Sequence, residues 1–177
     1  MDNHVYRQPP RPEHRADLPL HLLISKRDLI EEFLRQKRIA IVGVSRNERH
    51  FSRILYREFR NRGYELFACN PRLSGVDDDP SYAGVRDITP AADAVIIMTP
   101  AGVTPDVVKE CYLAGITRVW LYRGAGTGSV NEEAVRFCNA HEMRVISGYC
   151  PLMFLQNAGF VHNIHKFFTR LNRTYPE

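Results

Sequence analysis

The sequence is poor in cysteine, and its few cysteines are scattered. Cys69, Cys111, Cys138 and Cys150 form no Cys-x-x-Cys spacing, which excludes the common zinc and dithiol motifs. A chain of 177 residues buries enough surface to fold without a disulfide or a structural metal. We therefore expect buried free thiols, no metal site and a single globular domain.

Long apolar runs and a secretory signal are also missing. The longest stretch without Lys, Arg, Asp or Glu begins at Val145, and glycine, proline and amide residues interrupt it, so it does not fit a membrane span. The N-terminus carries prolines and arginines where a signal peptide needs an apolar stretch. The sequence therefore predicts a cytoplasmic protein that has no membrane partner.

The formal net charge of +4 is unevenly distributed. Residues 25–72 carry twelve Lys and Arg against six acidic residues, whereas residues 73–150 carry six against ten. A nucleic-acid surface would spread positive charge over a whole face, so we expect no nucleic-acid partner. A basic segment followed by an acidic one favours a local anionic ligand.

Two parts of the chain differ in composition. Residues 1–24, rich in Pro, His and Arg without apolar periodicity, predict an N-terminal arm, and residues 25–177 predict one domain. In the domain, short apolar runs alternate with segments of helical periodicity. Such alternation predicts βαβ units and a doubly wound, mainly parallel, Rossmann-like α/β fold in three α/β/α layers.

The element boundaries follow from the same patterns. Strands are predicted over residues 38–43, 64–69, 94–98, 117–122 and 144–147, and residues 72–86 are predicted as a loop with a short strand near 84–86. Helices are predicted after Ser25, over 51–62, from Thr104 to Gly115, from Ser129 to Ala140 and over 160–172. Ser25, Thr104 and Ser129 are the predicted caps.

Arginines surround the loop that follows the first strand. Gly43, Val44 and Ser45 leave this strand, and the start of the next helix is flanked by Arg46, Arg49, Ser52 and Arg53. A helix N-terminus offers free N–H groups and a partial positive charge, and arginines add donors for phosphate. This predicts an anion site, and solvated arginines beside a tight turn are the alternative.

The fingerprint of NAD-binding domains is missing. No G-x-G-x-x-G follows the first strand, and the second strand ends at Asn70-Pro71 without an acidic residue for the ribose hydroxyls. Arg72 is instead suited to a phosphate on the ribose. The sequence therefore favours a phosphorylated nucleotide.

Several short motifs occur in order along roughly residues 35–155. They are Gly43-Val44-Ser45-Arg46-Asn47, Gly63-Tyr64, Asn70-Pro71, Trp120-Leu121, Gly124, Asn131-Glu132 and Cys150-Pro151. Together they resemble the small CoA-binding-domain proteins, whose Rossmann-like domain also opens the alpha subunit of succinyl-CoA synthetase.

The resemblance implies that CoA or an acyl-CoA binds along the first βαβ unit. It implies phosphates over Gly43–Ser45 and an adenosine end near Asn70, Pro71 and Arg72. We assign the pyrophosphate to the N–H groups of Val44–Arg46, charge neutralisation to the neighbouring arginines, and the walls of the cleft to Thr99, Pro100, Val103, Arg123 and Gly124. Two residues depart from the family pattern: Ser52 stands at a common glycine position, and Arg123 where glutamine is frequent.

The synthetases also need a phosphorylated histidine and a nucleotide-grasping domain, and both lie outside this resemblance. We therefore expect a stand-alone CoA-binding module without catalytic residues. Two alternatives stay open. One is an enzyme, either an NAD(P) oxidoreductase or a protein that transfers an acyl group through Cys150, and the other is a ligand-free interaction module whose last helix docks a partner. A homodimer also stays open.

Overall fold

The computed structural model describes residues 24–124 and 126–155. The predicted arm up to residue 23 and the predicted helix over residues 160–172 therefore lie outside the described residues. The strands are β1 (Arg38–Val42), β2 (Glu65–Cys69), β3 (Gly75–Val76), β4 (Asp79–Tyr82), β5 (Ala94–Ile97), β6 (Arg118–Tyr122) and β7 (Arg144–Tyr149). The helices are α1 (Lys26–Arg35), α2 (Phe51–Arg60), α3 (Thr104–Leu113) and α4 (Glu132–Ala140), and 3-10 turns occupy Val85–Asp87 and Pro151–Met153.

All strands of the described residues join one sheet in the order β3-β4-β2-β1-β5-β6-β7. Every neighbouring pair is parallel except β3 with β4. Apolar residues on the central strands are buried on both faces, as parallel sheets require. The predicted doubly wound, mainly parallel α/β sheet is thereby confirmed.

Helices cover both faces of the sheet. One core cluster lies under α1 and α2 and includes Phe33 and Trp120, whose rings meet edge to face at 5.2 Å. The other cluster lies under α3 and α4 and includes Cys111 and Cys138. Glu32 on α1 is ion-paired with arginines at the starts of β6 and β7, so these ion pairs hold α1 against the part of the sheet that β6 and β7 form. The three-layer architecture is confirmed.

The direction in which successive strands are added to the sheet changes between β1 and β5. Because β2 lies on one side of β1 and β5 on the other, this is the position where open α/β sheets bind ligands, outside the carboxyl ends of the strands. Gly43 ends β1 here with φ +93°, and a Cβ at this residue would lie 2.9 Å from the Thr99 backbone nitrogen. Glycine is therefore required for the loops after β1 and β5 to approach so closely.

The prediction for residues 72–86 was wrong. Instead of a loop with a strand near 84–86, this segment contains the hairpin β3–β4, and residues 85–87 form a 3-10 turn. The hairpin turns at Asp77, which adopts φ +54°, a conformation that Asp tolerates better than most residues. Its second strand, Asp79–Tyr82, has no apolar alternation, and pairing with β2 together with the Tyr56–Asp79 hydrogen bond holds it in place.

Two predicted helix caps were also wrong. The N-cap of α3 is Val103, and the buried Thr104 hydroxyl donates to the Ser129 carbonyl oxygen at 2.9 Å. The N-cap of α4 is Asn131, whose side chain accepts the N–H of Ala134. Serine and threonine at these positions connect neighbouring loops, which a local capping pattern does not reveal. The Ser25 cap of α1 is confirmed.

Candidate functional site

The start of α2 is built around a fully buried serine. The Ser52 hydroxyl accepts the N–H of Ser45 at 2.9 Å and lies 2.9 Å from Nδ1 of His50, to which it donates. That nitrogen also accepts the N–H of Ser52 at 3.2 Å, so His50 caps the helix through its side chain. Ser45 is therefore held against the first turn of α2, and its N–H is already engaged. The N–H groups of Arg46 and Glu48 donate to no acceptor among the described residues.

The arginines of the basic segment fall into two groups. Seven of the ten arginines in residues 25–72 form ion pairs with carboxylates. The other three are Arg46, Arg49 and Arg72, which have no ion pair within the described residues and are all exposed. All three lie on loops at the carboxyl edge of β1 and β2. The arginines of this segment that lack an ion pair within the described residues are thus concentrated where a Rossmann-like sheet receives its ligand.

Arg53 differs from the other arginines predicted for the anion site. It is 4% exposed, its Nη1 lies 3.4 Å from the Gly75 carbonyl oxygen, and its Nη2 lies 3.9 Å from the Asp77 carboxylate. Its Nε is buried without a hydrogen-bond partner in the described part of the chain. Arg53 therefore joins α2 to the β3–β4 hairpin and does not lie with Arg46 and Arg49.

Asn70 organises the loop after β2. Its Nδ2 donates to the Val44 carbonyl oxygen at 2.7 Å, and its Oδ1 accepts the N–H of Arg72 at 2.9 Å. Both polar atoms of the amide are thus used within the protein. The structure gives Asn70 the role of joining the two loops and orienting the backbone at Arg72. Pro71, between them, is exposed.

The loop after β5 provides an unpaired polar atom at the same edge. Thr99 Oγ1 is buried and has no hydrogen-bond partner among the described residues. Buried hydroxyls are nearly always paired, so this atom, beside Gly43, is suited to a polar group of a ligand. Pro100 is exposed, and Val103 is 47% exposed although it is apolar.

The loops after β5 and β6 are joined by a serine that the sequence prediction had assigned to a cap. Ser129 is fully buried, and its Oγ lies 2.7 Å from the Ile97 carbonyl oxygen and 2.9 Å from that of Tyr122. Asn131 adds a hydrogen bond from Nδ2 to the Ala101 carbonyl oxygen at 3.0 Å. A serine seven residues after a strand carries no sequence signal for this role.

The Tyr122 side chain packs against the loop that follows β6. Its ring stacks on Phe51 at 5.3 Å, and its hydroxyl lies so close to Gly124 that a Cβ there would collide with it. Burial raises the pKa of Tyr122, so the hydroxyl is neutral at physiological pH. Arg123 is exposed, and its Nε donates to the Gly126 carbonyl oxygen at 3.0 Å.

Cys150, the thiol considered for acyl transfer, is 1% exposed. Burial raises its pKa to about 12, which is the opposite of the lowered pKa that a nucleophilic thiol needs. All four cysteines are free and buried, as predicted. Residues 24–124 and 126–155 contain no group of three or more potential metal-ligating side chains, and no helix in them is long and apolar enough to cross a bilayer.

The chain belongs to the CoA binding domain family, whose model matches residues 37–156. It is 27% identical to YneT of Bacillus subtilis (strain 168), an uncharacterized protein, over 71% of this chain and 90% of that protein. The ADP-forming acetate–CoA ligase I of Archaeoglobus fulgidus is 29% identical over 46% of this chain. That match takes in only 12% of the ligase. The family resemblance noted in the sequence is thereby confirmed.

Solved structures have the same fold. A hypothetical protein from Pyrococcus horikoshii OT3 superposes with a TM-score of 0.67 over 76% of this chain and 92% of its own, at 22% identity. The dinucleotide-forming acetyl-coenzyme A synthetase 1 of Ca. Korarchaeum cryptofilum, in its apo form, gives a TM-score of 0.58 at 24% identity. The overlap covers 67% of this chain and 27% of the synthetase. At these identities the likeness concerns the fold.

Proposed function

We propose that the protein binds coenzyme A or an acyl-CoA as a stand-alone module that has no catalytic group of its own. Membership of the CoA binding domain family supports the ligand class. The observation that carries the proposal is the distribution of arginine partners: within residues 24–124 and 126–155, Arg46, Arg49 and Arg72 have no carboxylate partner, while the other seven arginines of the basic segment have one. CoA carries a diphosphate and a separate ribose phosphate, so it needs two groups of cations.

In this proposal the diphosphate lies over the loop Gly43–Arg46 at the start of α2. The Arg46 and Glu48 N–H groups have no acceptor within the described part of the chain, and the guanidinium groups of Arg46 and Arg49 supply charge-assisted donors. Ser45 offers its hydroxyl, which accepts the Asn47 N–H and keeps its own proton for a phosphate oxygen. The Ser45 N–H can donate to a phosphate only if its hydrogen bond to the Ser52 hydroxyl breaks.

The ribose phosphate lies at Arg72. Asn70 positions the Arg72 backbone by accepting its N–H, and the neighbouring Pro71 is exposed. On the loop after β5, Val103 offers exposed apolar surface, and Thr99, whose buried hydroxyl has no partner among the described residues, provides one hydrogen bond. The pantetheine arm then continues toward Arg123 and Gly124 on the loop after β6.

Calorimetric titration with CoA, acetyl-CoA, NAD and NADP tests this function. We expect CoA and acetyl-CoA to bind and NAD to leave no heat of binding. The double variant R46Q/R49Q should weaken CoA binding by at least about tenfold, since charge-assisted hydrogen bonds contribute roughly 1.5–3 kcal/mol each. Arg57 on α2, which is ion-paired with Asp77 of the β3–β4 hairpin, supplies the matched control, and R57Q should bind CoA normally.

Three results would overturn the proposal. A preference for NAD or NADP over CoA would favour an oxidoreductase, and equal losses in R46Q/R49Q and R57Q would mean that overall charge, not this edge, attracts the ligand. Absence of binding by every nucleotide would favour the ligand-free interaction module.

A further inference from the structure

The charge of Arg123 is unopposed within an acidic part of the chain. Residues 73–150 carry six basic residues, and four of them, Lys109, Arg118, Arg136 and Arg144, form ion pairs. Arg123 has no carboxylate partner among the described residues. Its one hydrogen bond is from Nε to a neutral carbonyl oxygen, that of Gly126.

This contact leaves the outer part of the guanidinium available. Nε is occupied at 3.0 Å, so the two terminal nitrogens remain as a planar pair of donors, the geometry that binds a carboxylate with two hydrogen bonds. A buried anchor holds the loop that carries them, because Ser129 ties its end to Ile97 and Tyr122. The neutral Tyr122 hydroxyl next to Gly124 adds no negative charge there.

At the carboxyl edge of the sheet, the strand order places Arg123 and Arg72 on opposite sides of β1. β2 neighbours β1 on one side, and β5 and then β6 follow on the other. With strands about 4.8 Å apart, the β6 loop lies roughly 10 Å from the β1 loop, and the β2 loop lies about 5 Å in the other direction. A ligand held by its diphosphate at β1 and its ribose phosphate at β2 therefore directs its remaining arm toward Arg123.

We propose that Arg123 makes the protein selective for acyl-CoA thioesters whose acyl group ends in a carboxylate. The inference rests on the proposed function, since the thioester must be held at β1 and β2 for its acyl end to reach β6. The carboxylate accepts two hydrogen bonds from the terminal nitrogens of Arg123, and an uncharged acyl group of the same length leaves these donors to water.

Titrations with length-matched ligands test the selectivity. Malonyl-CoA is compared with propionyl-CoA, and succinyl-CoA with butyryl-CoA, using the full-length protein, R123Q and the control R136Q. Arg136 is exposed and lies on α4. We expect the wild type to bind one or both dicarboxylic thioesters about tenfold more tightly than its uncharged match, as a charge-assisted pair allows. The preference should vanish in R123Q and persist in R136Q, while CoA itself binds R136Q as tightly as it binds the wild type.

Other outcomes overturn the inference in distinguishable ways. Equal binding within both matched pairs, or a preference that survives in R123Q, refutes the role of Arg123 and leaves CoA binding intact. If R123Q weakens CoA but not dephospho-CoA, Arg123 contacts the ribose phosphate, and the proposed direction of the ligand is wrong. If CoA does not bind the wild type, the proposed function fails, and this inference fails with it.

Discussion

The Ser52 hydroxyl accepts a hydrogen bond from the N–H of Ser45 at 2.9 Å. One donor of the loop predicted to hold a diphosphate is therefore already used within the protein. Ser52 is fully buried, and its hydroxyl is oriented by His50. A serine at this position, where the resemblance implies a glycine, thus has a structural consequence. The N–H of Ser45, which we propose for phosphate binding, is engaged in an internal hydrogen bond.

Replacing Ser52 should lower the stability of the protein and raise its affinity for CoA. S52A leaves the Ser45 N–H without its acceptor, so we expect the free energy of unfolding to fall by about 1–2 kcal/mol. A bound phosphate would restore an acceptor, so CoA should bind S52A more tightly, by up to about tenfold. Urea denaturation and calorimetry measure the two effects. V108A, a buried change on α3, should lower stability without raising affinity, and tighter CoA binding by V108A would contradict this account.

Asn70 should act by positioning the loops. N70A removes the hydrogen bonds to Val44 and Arg72, so we expect a loss of about 1–2 kcal/mol in stability together with weaker CoA binding. N70D keeps the acceptor for the Arg72 N–H but cannot donate to the Val44 carbonyl. If N70D binds CoA as weakly as N70A, the contact with Val44 is the important one. Unchanged binding in both variants would remove Asn70 from the site.

The stability that Asp77 contributes should depend on pH. Its hydrogen bonds from Arg57 hold the pKa of the Asp77 carboxyl below its usual range. The stabilisation is therefore complete above about pH 4 and is lost as the pH falls through the lowered pKa. D77N keeps a residue that tolerates the positive φ, and we expect it to cost about 0.5–1 kcal/mol at pH 7 and nothing in strong acid. Denaturation curves across this range measure the difference.

The Cys150 thiol should be unreactive in the folded protein. With its pKa raised to about 12 by burial, about one thiol in ten thousand is ionised at pH 8. Iodoacetamide should therefore label the native protein at least about a hundredfold more slowly than the urea-unfolded protein. Peptide mass spectrometry identifies the labelled cysteine. Rapid labelling at Cys150, or a thioester trapped there, would restore the acyl-transfer alternative.

Much of the fold could be predicted because it depends on local patterns. The buried strand Arg38–Val42 and the amphipathic helix Phe51–Arg60 appear in the sequence almost as they do in the structure. The hairpin at residues 75–82 could not be predicted, because Asp79–Tyr82 is held by partners on β2 and α2 and lacks apolar alternation. Tertiary contacts overrode a sequence typical of a loop.

The sequence predicted which loops lie at the carboxyl edge of the sheet, but the partners of individual side chains on those loops could not be predicted. Spacing along the chain placed Arg46 and Arg53 together, but the carboxylate that pairs with Arg53 lies on a hairpin more than twenty residues away. The same applies to Ser129, which has the spacing of a cap and instead contacts a carbonyl on β5. Whether a polar side chain faces a ligand or the protein depends on such distant partners.

The attachment of α1 constrains the order in which the molecule can be assembled during synthesis. Glu32 reaches Arg144 across 112 positions of the chain, so the contacts of α1 are complete only after β7 has emerged. Phe33, on its apolar side, packs on Trp120 of β6, so that side lacks part of its cover until β6 has been made. A nascent chain stalled before β6 would therefore keep this helix accessible to chaperones and proteases.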